Sequence, residues 1–99
     1  MITSKQRAYL RGLANPIDSI FQVGKGGIND NMIVQFNEAL EKRELVKATV
    51  LQNCDEDPRE IAHEIGRLCE AEVVQCIGKK FVLYKESKNN KTIDLKKIK

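Results

Sequence analysis

A glycine-rich run in the first third of the chain combines residue types that bind phosphate. Residues 24–27 (GKGG) follow a short β-rich segment and precede an amphipathic segment that starts near Asn29. Glycine accepts positive φ and lets the backbone approach a ligand closely. The first amides of a helix are unpaired and partly positive, and Lys25 adds a full charge. The pattern predicts a cradle for one or two phosphates, although G-x-x-G spacing alone also occurs in ordinary strand-to-helix turns.

A second candidate for binding phosphate is a basic helix at the start of the chain. Thr3 and Gln6 have the spacing of a capping box, and Asn15-Pro16 ends the helical pattern. The predicted apolar face consists of Tyr9, Leu10, Leu13 and Ala14. The predicted outer side carries Lys5, Gln6, Arg7 and Arg11. Because Arg7 and Arg11 lie one turn apart and repel each other, any benefit of the pair would come from an external anion.

The sequence excludes the common nucleotide-binding and catalytic motifs. A P-loop requires a magnesium-binding hydroxyl after the lysine that follows its glycines, whereas Ile28 and Asn29 follow the glycines here. A dinucleotide fingerprint would require glycine at position 29. The one histidine, His63, lies among charged residues, and the cysteines at positions 54, 69 and 76 fit neither a disulfide framework nor a zinc site. We therefore expect no enzymatic activity, no metal and no cofactor.

The aromatic residues give little capacity to stack on nucleic-acid bases. The chain has three phenylalanines, two tyrosines and no tryptophan. Four of them occupy apolar-periodic positions and are predicted to be buried: Phe21, Phe36, Phe81 and Tyr84. Recognition through stacked bases requires exposed rings. If the basic residues bind RNA, we expect them to contact its backbone.

Length, composition and charge indicate one globular domain with an uneven charge distribution. The 99 residues are 41% hydrophobic and 31% charged, and we find neither a transmembrane segment nor a signal peptide. The three unpaired cysteines predict a reducing, cytoplasmic location, and we expect no membrane partner. Residues 1–27 and 73–99 are basic, whereas residues 28–72 are acidic. If the two basic ends of the chain meet in the fold, they form one positive surface that suits a phosphate backbone. Residues 88–99 could instead be a solvated lysine tail that binds no partner.

The elements predicted to position these residues alternate between helices and strands. Helical patterns cover residues 3–14, 29–42 and 57–69, and β-rich runs cover residues 19–23, 45–51, 73–77 and 81–84. The third helix is expected to bury Ile61, Ala62, Ile65, Leu68 and Cys69. Strands separated by helices should pair in parallel, and the last two should form an antiparallel hairpin. The prediction is a two-layer α/β domain of order α-β-α-β-α-β-β with a mixed four-stranded sheet.

Several segments, in this order, resemble the CRM domain (chloroplast RNA splicing and ribosome maturation). They are residues 5–11, 23–27, 39–41, 44–47, 74–79 and 81–84, and the similarity covers about residues 3–86. The chain resembles a free-standing, YhbY-like bacterial member. The resemblance implies a fold similar to the C-terminal domain of translation initiation factor three. It also implies RNA binding in association with precursors of the large ribosomal subunit.

The resemblance assigns site residues as well. Gly24, Lys25, Gly26 and Gly27 match the family's RNA-contacting loop, and Lys5, Arg7 and Arg11 match its basic first helix. Asn29, at the start of the second helix, completes the predicted RNA-binding set. We expect a CRM-type RNA-binding domain over residues 1–86 and a lysine-rich tail over residues 87–99, whose Ile93, Leu95 and Ile98 dock only weakly.

The expected function is non-enzymatic binding of ribosomal RNA during assembly of the large ribosomal subunit, by a protein that we expect to be monomeric. The chain lacks the flanking regions of plant splicing members, which disfavours intron splicing. The alternative is a protein-interaction module that binds a basic ribosomal protein through the acidic middle of the chain. Binding through several phosphates should weaken steeply with salt, which distinguishes the two.

Overall fold

The computed structural model describes residues 2–98 and has the predicted order of elements. The helices are α1 (Ser4–Ala14), α2 (Asp30–Arg43) and α3 (Pro58–Cys69), and the strands are β1 (Phe21–Val23), β2 (Leu45–Val50), β3 (Glu72–Ile77) and β4 (Lys80–Tyr84). A 3-10 turn (Leu95–Lys97) follows β4. Local signals explain where the helices begin: Thr3 and Gln6 form the predicted capping box, and Asp57 caps α3 ahead of Pro58.

The four strands form one mixed sheet in the order β1-β2-β4-β3. β1 and β2 are parallel, as predicted for strands joined through a helix, and β4 is antiparallel to both of its neighbours. The expectation that β2 and β3 also pair is wrong, because β4 returns from the hairpin into the position between them. The predicted α/β class and the mixed four-stranded sheet are confirmed.

Helices α2 and α3 cover one face of the sheet and form the larger core. Phe36 of α2 and Ile61 of α3 are almost completely buried. They pack against alternate strand residues, which are Val23, Val46, Ala48, Val50, Phe81 and Leu83. The Phe36 ring stacks on Phe21 with centroids 4.2 Å apart. This contact joins α2 to β1 on either side of the glycine-rich run and so fixes both of its ends.

Helix α1 lies on the opposite face, where Leu10 and Ala14 are buried. Their partners are Leu45, Val74, Val82 and Tyr84, together with Ile93 and Leu95 from the C-terminal segment. α1 therefore adds a partial third layer to the two formed by the sheet and the α2–α3 pair. Two predicted core positions are wrong: Tyr9 is 41% exposed and Leu68 is 42% exposed, since each lies at the margin of its helix's apolar stripe.

A buried carboxylate attaches the C-terminal segment to the end of α2. Glu44 is fully buried and accepts hydrogen bonds from the backbone N–H groups of Ser87 (2.7 Å), Thr92 (2.6 Å) and Ile93 (2.8 Å). Burial raises the pKa of Glu44, but these hydrogen bonds outweigh it, and the pKa lies below its ordinary value.

Glu41, one turn earlier, binds the same segment from its exposed side. Its carboxylate accepts hydrogen bonds from the Ser87 hydroxyl and from the backbone N–H groups of Lys88 and Asn89, which lower the pKa of Glu41 to about 2. Residues 87–93 are thus held along the backbone by two carboxylates, more firmly than the expected weak docking. The proposed domain boundary after residue 86 stays a prediction.

Candidate nucleic-acid interface

Residues 24–27 form a tight turn at the carboxyl end of β1, called the GKGG turn below. The Gly27 N–H donates to the Gly24 carbonyl at 3.0 Å and closes a four-residue β-turn. Gly26, at the third position, has a φ of 97°, as a type II turn requires, and Gly27 has a φ of 66°. A side chain at either position would be strained. These two glycines therefore make the turn possible, and Lys25 is exposed at its tip.

The GKGG turn leaves two backbone donors for a ligand. The N–H groups of Lys25 and Gly26 take no part in the hydrogen bonds recorded across residues 2–98, and both residues are exposed. Gly27, by contrast, is buried and its N–H is engaged in the turn. An anion in front of the turn would be bound by the two outer amides and the Lys25 ammonium group. Lys25 and Gly26 thus have exposed N–H groups that are unengaged, and phosphate binding by residues 24–27 stays a prediction.

The loop between β2 and α3 packs against the GKGG turn. The Asn53 side chain lies beside Gly24, and the Glu56 carboxylate lies directly against Gly27. Glu56 is exposed to solvent, so water partly shields its charge. Even so, a carboxylate at this position opposes the binding of an anion by the turn.

The start of α2 is less suited to anions than the sequence predicts. Asn29 caps the helix, and its Oδ1 accepts the Met32 N–H at 2.8 Å. Asp30 adds a carboxylate to the first turn, which compensates the partial positive charge of the helix end. RNA contact by Asn29 stays a prediction, with the side-chain oxygen already engaged in the cap.

The prediction that Gln6 and Arg7 lie on the outer side of α1 is wrong for both. Arg7 is half-buried, and its guanidinium donates to the Val73 carbonyl on β3. Gln6 donates to the carbonyls of Leu95 (3.1 Å) and Ile98 (3.0 Å). The two side chains attach α1 to different elements: Arg7 to the edge strand β3 and Gln6 to the C-terminal segment. A guanidinium has five N–H donors, so Arg7 keeps others for a ligand.

Arg11 and Lys5 differ in their relation to Arg7. Arg11 is exposed one turn after Arg7, on the same side of α1. Lys5 is also exposed, but a separation of two residues corresponds to about 200° of helix rotation. α1 therefore presents Arg7 and Arg11 on the side turned away from the C-terminal segment, and Lys5 is not brought together with them.

The β3–β4 hairpin brings two further lysines to the end of the sheet that carries the GKGG turn. β1, β2 and β3 run in one direction, and the Val50 N–H at the end of β2 donates to the Lys79 carbonyl in the hairpin at 2.6 Å. Lys79 and Lys80 are both exposed. Sequence reasoning misses these lysines because their position depends on the insertion of β4 beside β2. Strand alternation, once the register is known, would have found Lys80.

The thiol, imidazole and carboxylate groups give no indication of a metal site or an activated nucleophile within residues 2–98. Over that range, no three His, Cys, Asp or Glu side chains are grouped so that they could hold a metal ion. Burial raises the pKa of the Cys69 and Cys76 thiols, which keeps both protonated at neutral pH. His63 is exposed. The helices of the described chain are too short or too polar to cross a bilayer.

The fold and the interface define a class of protein: a small α/β domain with a lysine-bearing glycine turn at one end of its sheet and a basic helix on one face. The family model of the CRS1 / YhbY (CRM) domain matches residues 2–85. The chain belongs to this family, and the resemblance read from its segments is confirmed. The similarity to the C-terminal domain of translation initiation factor three stays a prediction.

Relatives from three bacterial species share most of the chain. A Bacillus subtilis protein named "Probable RNA-binding protein YqeI" is 55% identical over 95 residues, which are 96% of this chain and 99% of the relative. A Haemophilus influenzae protein named "RNA-binding protein" is 31% identical over 91% of each chain. The solution structure of the hypothetical protein SAV1595 from Staphylococcus aureus superimposes with a TM-score of 0.79 at 53% identity, covering 95% of this chain and 98% of the other.

Proposed function

We propose that the protein binds RNA without catalysing a reaction, and that the GKGG turn and the Arg7–Arg11 side of α1 contact the RNA backbone. Membership of the CRM family and the names of the relatives support the RNA-binding part. The resemblance to bacterial members that associate with large-subunit precursors supports ribosomal RNA as the target. The protein would then act as a monomer in the cytoplasm, during assembly of the large ribosomal subunit.

The observation that carries the proposal is the exposed type II turn with its two unengaged amides. Gly26 holds a backbone conformation that a side chain would strain, and the resulting turn carries an exposed lysine at its tip beside two unengaged N–H donors. Oxygen atoms of a phosphate accept such hydrogen bonds, and a nearby ammonium group adds charge. The arrangement has no feature that would distinguish one base from another, so we expect weak sequence preference.

The aromatic residues support backbone contact over base stacking. Phe36 and Phe81 are almost completely buried, and Tyr84 is only 6% exposed. Tyr9 is exposed, but it stands two residues from both Arg7 and Arg11 and so lies on the far side of α1. A base stacked on Tyr9 would be directed away from the basic side of the helix.

The acidic middle of the chain offers less to a basic protein partner than its composition suggests. Asp57 caps α3, and Glu64 pairs with Arg67 at 2.6 Å. Glu41 and Glu44 are engaged by backbone N–H groups of the C-terminal segment. These carboxylates stabilise the fold, which leaves fewer of them to bind a basic ribosomal protein.

A binding titration of Lys25→Gln tests the role of the turn. We expect affinity for RNA to fall roughly five- to eightfold at 0.1 M salt, because the lysine no longer neutralises one phosphate. Lys88→Gln removes the same charge from an exposed position outside the interface and should have a smaller effect. Thermal melting checks that both variants fold. Wild-type affinity in a folded Lys25→Gln protein would remove the turn from the mechanism.

The RNA target is tested by crosslinking the protein in cells and sequencing the attached RNA. We expect large-subunit ribosomal RNA precursors to be enriched over total RNA, and the enrichment to fall in the Lys25→Gln variant. Enrichment of messenger RNA alone, or crosslinks to proteins without RNA, would contradict the proposed target.

A further inference from the structure

The sheet face on which α1 lies is covered at one end and open at the other. α1 packs over Leu45, Val82 and Tyr84. Beyond α1, strand alternation and register direct six side chains to this face: Gln22, Lys47, Thr49, Gln75, Ile77 and Lys80. All six are exposed or half-exposed, and Ile77 is 65% exposed. We call these six positions the open sheet face.

Lys47 and Lys80 give the open sheet face its positive charge. Lys80 on β4 pairs with Thr49 on β2, and Thr49 lies two residues after Lys47. Lys47 and Lys80 are therefore diagonal neighbours, and their Cα atoms are about 7 to 8 Å apart. The Glu72 side chain points to the same face of the sheet, but it lies at the opposite end of β3. There its carboxylate accepts a hydrogen bond from the Ile2 N–H, just before α1. Among the described strand residues, the two charged side chains of the open sheet face, Lys47 and Lys80, are therefore both positive.

The open sheet face has polar and cationic groups but no ring on which a base could stack. Phe21 and Phe81 point to the opposite face and contribute to the larger core, and Tyr84 is covered by α1. Gln22 and Gln75 offer amide donors, and the Thr49 hydroxyl already pairs with Ser19 at 2.7 Å. This chemistry complements phosphate and ribose oxygens and gains nothing from unstacked bases.

We propose that the open sheet face is a further RNA-contacting surface, on which Lys47 and Lys80 bind phosphates of a base-paired segment. The inference rests on the proposed function and extends the contact from the turn and α1 to the sheet between them. The hydrogen bond from Arg7 to Val73 places the basic side of α1 beside β3 at the margin of this face. The hairpin that carries Lys80 lies at the end of the sheet occupied by the GKGG turn.

The test compares variants that remove equal charge from different places. Lys47→Gln/Lys80→Gln removes the two sheet lysines, and Lys88→Gln/Lys96→Gln removes two exposed lysines from the C-terminal segment as the matched control. The probes are a 12-base-pair RNA hairpin and an unstructured RNA strand of the same length and composition. Affinity is measured at several salt concentrations, and thermal melting with a two-dimensional amide NMR spectrum checks the fold.

We expect the sheet variant to lose at least tenfold in affinity for the hairpin at 0.1 M salt. Its dependence of log affinity on log salt should become shallower by about 1.4 to 1.8, the effect of two phosphate contacts. A charge-retaining Lys47→Arg/Lys80→Arg variant should restore the slope, which distinguishes the removal of charge from altered packing. The hairpin should bind at least as tightly as the single strand.

The outcomes separate this inference from the proposed function. If the sheet variant binds like the control while Lys25→Gln weakens binding, RNA contacts the turn and the inference falls. If the single strand binds tenfold more tightly than the hairpin, the assignment to base-paired RNA falls. If neither Lys25→Gln nor the sheet variant differs from the control, the proposed function fails as well.

Discussion

Replacing Glu56 with glutamine is expected to strengthen RNA binding, although most substitutions in a binding surface weaken it. The Glu56 carboxylate lies directly against Gly27, the last residue of the turn that we propose binds phosphate. It takes part in no hydrogen bond recorded across residues 2–98, so the change to an isosteric amide removes a charge without removing a structural contact. The only large change is therefore electrostatic.

The magnitude follows from the distance between two negative charges. If a phosphate at the turn lay about 5 Å from the Glu56 carboxylate, the two unit charges would repel by about 0.8 kcal/mol in water. Because Glu56 is exposed, salt at 0.1 M reduces this value to about 0.5 kcal/mol. We therefore expect affinity to rise about two- to threefold at 0.1 M salt, and the gain to be nearly lost at 1 M salt.

The assay is a fluorescence anisotropy titration of a labelled RNA hairpin at about 0.05, 0.1 and 1 M salt. Over this range the Debye length falls from more than about 10 Å to about 3 Å, so screening of the Glu56 charge changes strongly. Glu38→Gln is the matched control, because Glu38 is exposed in the middle of α2 and its removal changes net charge equally. We expect Glu38→Gln to have a smaller effect, since about 12 Å of helix separates it from the start of α2.

Two results would refute this reasoning. Unchanged or weaker binding by a folded Glu56→Gln protein would mean that phosphate does not approach the turn. An equal gain in the Glu38→Gln control would mean that only net charge matters, and that the position of Glu56 against Gly27 has no specific effect.

Three further predictions concern the interface and the attachment of the C-terminal segment. Arg11→Gln/Lys25→Gln should make the salt slope of RNA binding shallower by about 1.4 to 1.8, and a wild-type slope would place the RNA elsewhere. Glu44→Gln should lower the free energy of unfolding by about 2 to 3 kcal/mol in urea titrations, because three backbone N–H groups lose a buried charged acceptor. The pKa of Glu41 is lowered from 4.5 to about 2, so its contribution to stability is complete above about pH 4.5 and is lost as the pH falls toward 2. The urea midpoint should therefore fall less between pH 5.5 and 3 in Glu41→Gln than in the wild type; an equal fall would show that other carboxylates dominate.

Features that depend on neighbouring residues are predictable from the sequence. The Thr3–Gln6 capping box spans four residues. The start of α3 depends on two adjacent residues, because Asp57 caps the helix and Pro58 occupies its first position. The GKGG turn is local in the same sense, because positive φ at Gly26 follows from the turn type alone. The predicted order of helices and strands rests on such signals, and the structure agrees with it.

Features that depend on distant pairing are not predictable in this way. Arg7 finds its acceptor 66 residues away at Val73, and Gln6 finds acceptors 89 and 92 residues away. Helical periodicity places these polar side chains on the outer side of α1, because it does not show that distant carbonyl groups lie within reach of their N–H donors. The position of β4 between β2 and β3 is likewise a tertiary choice, and it alone puts Lys80 beside β2.

The internal use of carboxylates explains why a chain with a net charge of +3 can present a strongly polarised surface. Glu41 and Glu44 bind backbone N–H groups of a segment that itself carries lysines, and Asp30 and Asp57 lie at helix starts. The carboxylates of Glu41 and Glu44 accept N–H groups of the fold, and those of Asp30 and Asp57 lie at exposed helix starts that carry partial positive charge. The lysines of the turn and of the open sheet face have no such partner among the ion pairs of residues 2–98, so their field extends into solvent. A polyanion approaching that face meets these unpaired cations first, and Glu56 is the carboxylate that directly opposes it at the turn.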